Sequence, residues 1–358
     1  MDSWQIDALG FDTWFQDRID PDRLAGRQIA RVVAVHKDRY TISDGRSDRL
    51  AELVGRMLYG AQSPLDYPTV GDWVVASIYD EPAVSIIHDI VPRKSLLKRK
   101  SSGKKVEYQL IAANIDTAFI VQSLDENFNL RRLERYLVMT NQSHIEPVVL
   151  LSKSDLIDAE TTTARIEAVR QIMPNLQVHP FSNLTDSGVS MVTTKLVPGR
   201  TYCLLGSSGV GKTTLLNRLA GAPLFKTKRV REKDSKGRHA TTTRQLMQLD
   251  CGAMVVDTPG MRELGNISVK SGIEETFAEI TALSQHCRFR DCTHVSEKGC
   301  AVLDAVKTSR LSEKRYQNYI KLNKESAFHE MSILERKSKD KAFGKMCKRV
   351  MKQKKNRR

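Results

Sequence analysis

No stretch of this 358-residue chain approaches the ~18 consecutive apolar residues of a membrane-spanning helix. The opening MDSWQIDALGFD lacks the basic start and apolar run of a secretory leader, so none is expected. Cysteine is scarce: six are present, at 203, 251, 287, 292, 300 and 347. Three of them crowd around a histidine, which fits a metal site in a reducing cytoplasm better than a disulfide framework. No internal repeat is visible. Acid is nearly missing from two segments. Residues 336–358 hold twelve Lys/Arg against Asp340 alone, so +11 of the net +15 sits in the tail and +4 on the rest. The segment 92–105, PRKSLLKRKSSGKK, has seven Lys/Arg and no acid. A nearly neutral body with a basic tail suits a protein that reaches toward a polyanion such as RNA; a merely solvated tail is the plain alternative.

The hydrophobic fraction, 40%, suffices for at least one sizeable core. Residues 1–26 read as a lead-in in which Trp4, Leu9, Phe11, Trp14 and Phe15 stand in polar surroundings. Over 27–105, RQIARVVAV, RYTIS, RLAELV, DWVVASI and AVSIIHDIV are five β-rich runs broken by Gly, Asp, Ser and Pro, and the basic segment after them reads as an exposed linker. Five such strands fit an all-β barrel of the OB type, whose curved face commonly binds oligonucleotides, or a generic β-barrel packing module. Over 106–272 the texture turns α/β. Apolar runs at 117–121, 147–151, 176–178, 201–205 and 253–256 predict buried, mostly parallel strands, with helices over Leu130–Met139 and Thr161–Ile172. Residues 273–335 read as a helical domain around the Cys/His cluster, and 336–358 as the basic tail.

GSSGVGKT matches the phosphate-loop pattern between an apolar strand and a helix. Its backbone N–H groups must turn inward around phosphate oxygens, which glycine permits. Gly206, Ser207, Ser208, Gly209, Val210, Gly211, Lys212, Thr213 and Thr214 are therefore candidate nucleotide contacts. Lys212 would reach the β- and γ-phosphates and Thr213 would hold Mg²⁺. This loop alone does not separate GTP from ATP.

Upstream, the strand EPVVLLSKSDL ends in Ser152, Lys153, Ser154 and Asp155, close to the [NT]KxD pattern that reads guanine. Two carboxylate oxygens accept from N1–H and the 2-amino group, a donor pair adenine lacks. The Lys153 stem would lie along the base and brace the phosphate loop. Ser at the first position predicts a somewhat weaker hold on the base. Ser182 and Asn183 follow the strand LQVHP where GTPases carry a Ser-Ala-type loop whose amide meets the guanine O6; Asn183 stands in place of Ala.

Asp257-Thr258-Pro259-Gly260 has the DxxG form after a strand. Asp257 would hold Mg²⁺ through water and the Gly260 amide would sense the γ-phosphate. The glutamine that often follows is missing; Met261 takes its place. Between the two phosphate motifs, Thr242, within Thr241–Thr243, is the favoured hydroxyl for closing on Mg²⁺ and γ-phosphate. His239 could orient water in place of the absent glutamine, or simply face RNA or solvent. Lys212, Thr242 and His239 are the candidate catalytic residues. Downstream, Cys287, Cys292, His294 and Cys300 supply three thiolates and an imidazole, a closed set suited to one structural Zn²⁺.

The order is base reader, Ser-loop, phosphate loop, switch I, DTPG; an ordinary GTPase starts with the phosphate loop. Joining natural termini and opening a loop elsewhere leaves the same site, so the chain reads as a circular permutant. Barrel, permuted GTPase and Cys/Cys/His/Cys knot together resemble the bacterial ribosome small-subunit-dependent GTPase A family over roughly residues 25–330. Within that resemblance GRHATTT matches the family's switch I, whose histidine is linked to hydrolysis, and the four Cys/His residues match its zinc ligands. The resemblance implies a monomeric, cytoplasmic GTPase that binds the 30S subunit and its 16S rRNA, with subunit-stimulated conversion of GTP to GDP late in maturation. Alternatives are a permuted GTPase acting on the large subunit or another RNA, and a nucleotide-gated RNA-binding scaffold.

Overall fold

The computed structural model describes residues 6–37, 39–80, 82–100, 108–221, 244–257 and 270–330, with only the backbone at 100, 257 and 328–330. It divides into two compact units, residues 1–265 and 266–358.

Unit 1 opens with five strands: β1 (Gln28–Val35), β2 (Tyr40–Ser43), β3 (Asp48–Leu53), β4 (Trp73–Ser77) and β5 (Ser85–Ile90). They pair in the order β1-β2-β3-β5-β4, and β4 returns to β1, closing a barrel of OB form as the sequence predicts. The basic segment after it is not all linker. β6 (Leu96–Lys100) pairs antiparallel with β7 (Tyr108–Ala113), and Leu97 is fully buried. Leu96 and Leu97 anchor the strand, with Lys98 and Arg99 half-buried beside them.

The α/β part contains β8 (Thr117–Ser123), β9 (Glu146–Ser152), β10 (Gln177–Pro180), β11 (Thr201–Leu205), β12 (Arg244–Gln248) and β13 (Met254–Asp257), ordered β10-β9-β8-β11-β13-β12. All pairings there are parallel except β12 with β13. Every residue of β8 is buried, as a central parallel strand covered on both faces requires. β12, with three polar residues of five, carries no strand signature in the sequence. It also pairs antiparallel with β1 at Ala34↔Gln245 and Val35↔Arg244, so barrel and α/β sheet form one eleven-stranded ladder.

The lead-in packs into the same core. Phe15 and Leu9 are buried with Trp73, Ile111 and Val256, and Phe11 meets the Trp73 ring edge-on at 5.0 Å. Arg31, in β1, is 1% exposed and donates to the Leu9 carbonyl and, at 2.7 Å, to Thr201 Oγ1 of β11. Burial brings its pKa down to about 10, against the pull of Asp116 and Asp72. One buried guanidinium thus joins lead-in, barrel and α/β sheet.

Unit 2 is helical: Lys270–Thr276, Ala278–Ser284, Ala301–Lys307 and Glu313–Glu330. Phe277, Ile280, Val302 and Leu322 are buried in it.

Candidate functional site

Adjacent parallel strands β10, β9, β8 and β11 deliver their carboxyl ends to one edge of the sheet, where open α/β sheets bind ligands. The loop after β11 turns at Gly206, φ 144°, where a Cβ would stand 2.2 Å from the Val121 carbonyl oxygen of β8. Gly211, φ 91°, is crowded by Asn183 Nδ2 at 2.6 Å from a would-be Cβ. Between them Ser208 and Gly209 are exposed, while Val210 is buried among Phe119, Val121 and Leu215. The buried valine fixes the loop and leaves its tip open. Helix Lys212–Leu219 follows. Lys212 Nζ donates to the Gly206 and Ser207 carbonyls, both at 2.7 Å, so its ammonium lies over the loop. Thr213 is exposed and Thr214 half-buried in the first turn.

The residues that the sequence suggests as base readers gather against this loop. Ser152, fully buried, donates to the Val210 carbonyl at 2.7 Å. Lys153 is left-handed, φ 60° and ψ 40°, which turns the chain sharply off the strand. Its amine does not brace the phosphate loop as the sequence suggested; it donates to Asp125 Oδ2 at 2.8 Å. The bracing comes from Ser152 and from Asn183, whose Nδ2 donates to the Gly211 carbonyl at 3.1 Å. The Ser154 amide donates to the Phe181 carbonyl at 3.2 Å, which draws the two base loops together. Ser182, fully buried, donates to Asp155 Oδ1 and accepts from the Leu184 and Thr185 amides at 3.0 and 3.2 Å. Asp155 is exposed, and its Oδ2 has no hydrogen bond among the described residues. Asn183 Oδ1 is buried without a partner among them. Arg218, on the phosphate-loop helix, donates to the Asn183 carbonyl at 2.6 Å and pairs with Asp186.

Asp125 was not singled out in the sequence. It follows β8, accepts from Ser123 Oγ at 2.7 Å and the Asn127 amide at 2.9 Å, and pairs with Lys153. Burial raises its pKa, but the bonds from Lys153, Ser123 and Asn127 outweigh that and bring it down to about 2. A carboxylate at a strand end, beside a lysine 28 residues away, carries no local signature.

His239, Thr242 and Gly260 lie outside the described residues, as does the side chain of Asp257, whose backbone closes β13.

In unit 2, Cys287, Cys292, His294 and Cys300 place their ligand atoms within 4.8 Å of one another. Cys287 Sγ and Cys300 Sγ are 3.8 Å apart, and His294 Nδ1 lies 3.6 and 3.4 Å from them. A tetrahedral ion at Zn–S and Zn–N bond lengths needs edges of about 3.8 Å between sulfurs and about 3.6 Å from sulfur to nitrogen. The three edges among Cys287, His294 and Cys300 match that solid, and Cys292 Sγ lies within 4.8 Å of the other three. His294 is itself left-handed, φ 59°, with its carbonyl held by Tyr316 Oη at 2.7 Å, and Cys300 caps helix Ala301–Lys307 by accepting from the Leu303 amide at 3.4 Å.

The family model described as RsgA GTPase matches residues 90–267. The small ribosomal subunit biogenesis GTPase RsgA 2 of Vibrio vulnificus is 40% identical over 347 residues, covering 97% of this chain and 95% of that one. The RsgA of Opitutus terrae, named likewise, is 39% identical, with 90% of each chain covered. The crystal structure of YjeQ from Thermotoga maritima superposes with a TM-score of 0.62 at 27% identity, over 83% of this chain and 97% of that one. YloQ, described as a circularly permuted GTPase, shares the fold at a TM-score of 0.59 and 22% identity, over 88% and 100%. With likeness along nearly its whole length and the SKSD segment preceding the phosphate loop at one sheet edge, this chain belongs to the RsgA GTPase family and hydrolyses GTP.

Proposed function

We propose that this protein binds the small (30S) ribosomal subunit through its 16S rRNA, assists its late maturation, and hydrolyses GTP faster when bound there. The observation that carries the guanine assignment is the Ser182–Asp155 contact, which holds the carboxylate in place between the two loops. Asp155 discriminates guanine from adenine, and the Asn183 amide meets O6. The loop Gly206–Gly211 wraps the phosphates with Lys212 above them. Thr213, Thr242 and Asp257 supply the hard oxygen donors that Mg²⁺ prefers, and the ion when bound offsets charge between the β- and γ-phosphates. His239 orients water, since Met261 offers no hydrogen bond. Cys287, Cys292, His294 and Cys300 hold one structural Zn²⁺.

The relatives' names point to the small subunit, and the barrel and the basic tail give RNA-facing chemistry. The protein works as a monomer in the cytoplasm. The domain plan is lead-in 1–26, barrel and basic segment 27–105, GTPase 106–272, zinc domain 273–335 and tail 336–358. Only 26 residues lie between Gly260 and Cys287, so the nucleotide state repositions the zinc domain. Structures with an unmoved zinc domain in both nucleotide states overturn that coupling.

The test is phosphate release from GTP, alone and with purified 30S or 50S subunits. Stimulation by 30S is expected; stimulation by 50S alone overturns the subunit assignment. Asp155→Asn should let ATP compete with labelled GTP, and unchanged discrimination overturns the base-reader assignment.

A further inference from the structure

We propose that Asp125 is a positioning residue for nucleotide binding: it pins the far end of the Lys153 side chain so that the lysine's stem forms a fixed wall for the base. This rests on the reading of residues 152–155 as the base reader.

A lysine stem is four methylenes long and freely rotating, so as a surface for a flat ring it is worth little unless its end is held. Here both ends are fixed. At the backbone, Lys153 sits in the left-handed conformation directly after β9, between fully buried Ser152 and the loop of Asp155. At the tip, Nζ is 2.8 Å from Asp125 Oδ2. Only 32% of the lysine side chain and 18% of the aspartate's are exposed, so the pair lies in the wall of the site rather than out in water. The carboxylate is itself immobile: Ser123 Oγ and the Asn127 amide occupy its other oxygen, and Arg165 donates to its backbone carbonyl at 3.3 Å. Arg165 in turn lies over the Phe128 ring, 5.1 Å from its centroid. A preorganised carboxylate with one oxygen left over, aimed at the base reader's lysine from the neighbouring strand, is what a hook for that lysine requires. A rigid stem removes ordering cost from nucleotide binding, so the effect should show as slower dissociation.

The experiment measures affinity and dissociation of a fluorescent GDP for the full chain, wild type, Asp125→Ala, Lys153→Ala and the double variant. The expected result is that Asp125→Ala weakens binding about fivefold to twentyfold, mostly through faster release, and that the double variant binds no worse than Lys153→Ala. A loss from Asp125→Ala that persists undiminished on the Lys153→Ala background overturns the proposal, because Asp125 then acts on the fold rather than through the lysine. Normal binding by Asp125→Ala beside weak binding by Lys153→Ala also overturns it, with the base reader intact. Normal binding by Lys153→Ala overturns the reading of the base reader itself. Asp125→Asn, which keeps size and can accept from Ser123, serves in the same cycle if the alanine variant does not fold.

Discussion

The candidate nucleotide site draws on the ends of four neighbouring strands, β8, β9, β10 and β11, which meet in space from positions some eighty residues apart along the chain. The Cys/His knot takes all four ligands from fourteen consecutive residues. The first site inherits its geometry from a large packed sheet: Ser152, Ser182 and Val210 are fully buried or nearly so, and their hydrogen bonds run between strand ends. The second has two donors, Cys300 and His294, whose own backbones are set by a cap and a left-handed turn. A site supported by a core should tolerate loss of its ligand. A site that supports its own surroundings should not.

The strongest test of that contrast is removal of the zinc proposed for the Cys/His cluster. Structural zinc contributes about 10–16 kcal/mol to small domains, so chelation or Cys300→Ser should unfold unit 2, read by hydrogen exchange of residues 270–330. Unit 1 should keep its own melting transition; its disappearance on chelation breaks the comparison. Next in size is Lys212→Ala. Losing hydrogen bonds from a charged donor costs about 1.5–3 kcal/mol, or about 10- to 100-fold in GTP affinity, with the melting temperature held. A fall in stability as large as the fall in affinity means the phosphate loop is shaped by that lysine rather than by Gly206 and Val210.

Ser152→Ala should cost about 1–3 kcal/mol of stability, because the Val210 carbonyl loses its partner inside the core. Here affinity and stability should fall together, by urea denaturation and nucleotide titration. The smallest effect is electrostatic. Asp125 has its pKa depressed to about 2, so the stabilisation it gives is complete above about pH 4 and is lost as pH falls through about 2. The stability gap between wild type and Asp125→Asn should be flat above about pH 4 and close toward pH 2. A gap that persists at low pH removes the charge from the explanation.

Legibility in the sequence followed the range of the interactions. The five barrel strands were read within a residue or two, because alternation and turn residues are local. The phosphate loop and the metal knot were legible for the same reason, each being a short pattern whose chemistry needs those residues at that spacing. β12 and β6 escaped because charged and polar residues make up most of each, and one of β12's partners, β1, lies far off in sequence. Nothing local in the sequence marks Arg31, whose partners run from Leu9 to Thr201. Ser152 and Asn183 looked like weaknesses when set against a pattern. In space they are the two side chains that tie the base loops to the phosphate loop.

The pairing of β12 with β1 bears on how this molecule can be cut. A chain started after the barrel, to isolate the α/β part, would strip β12 of its neighbour on one side and leave open backbone donors and acceptors at Arg244 and Gln245. It would also remove Arg31 from Thr201 and uncover the apolar faces that Phe15 and Trp73 fill. Such a fragment should be prone to edge-to-edge association. The smallest piece with a finished sheet begins at the lead-in, and truncations meant to test a separate role for the barrel are better replaced by point changes on its outer face.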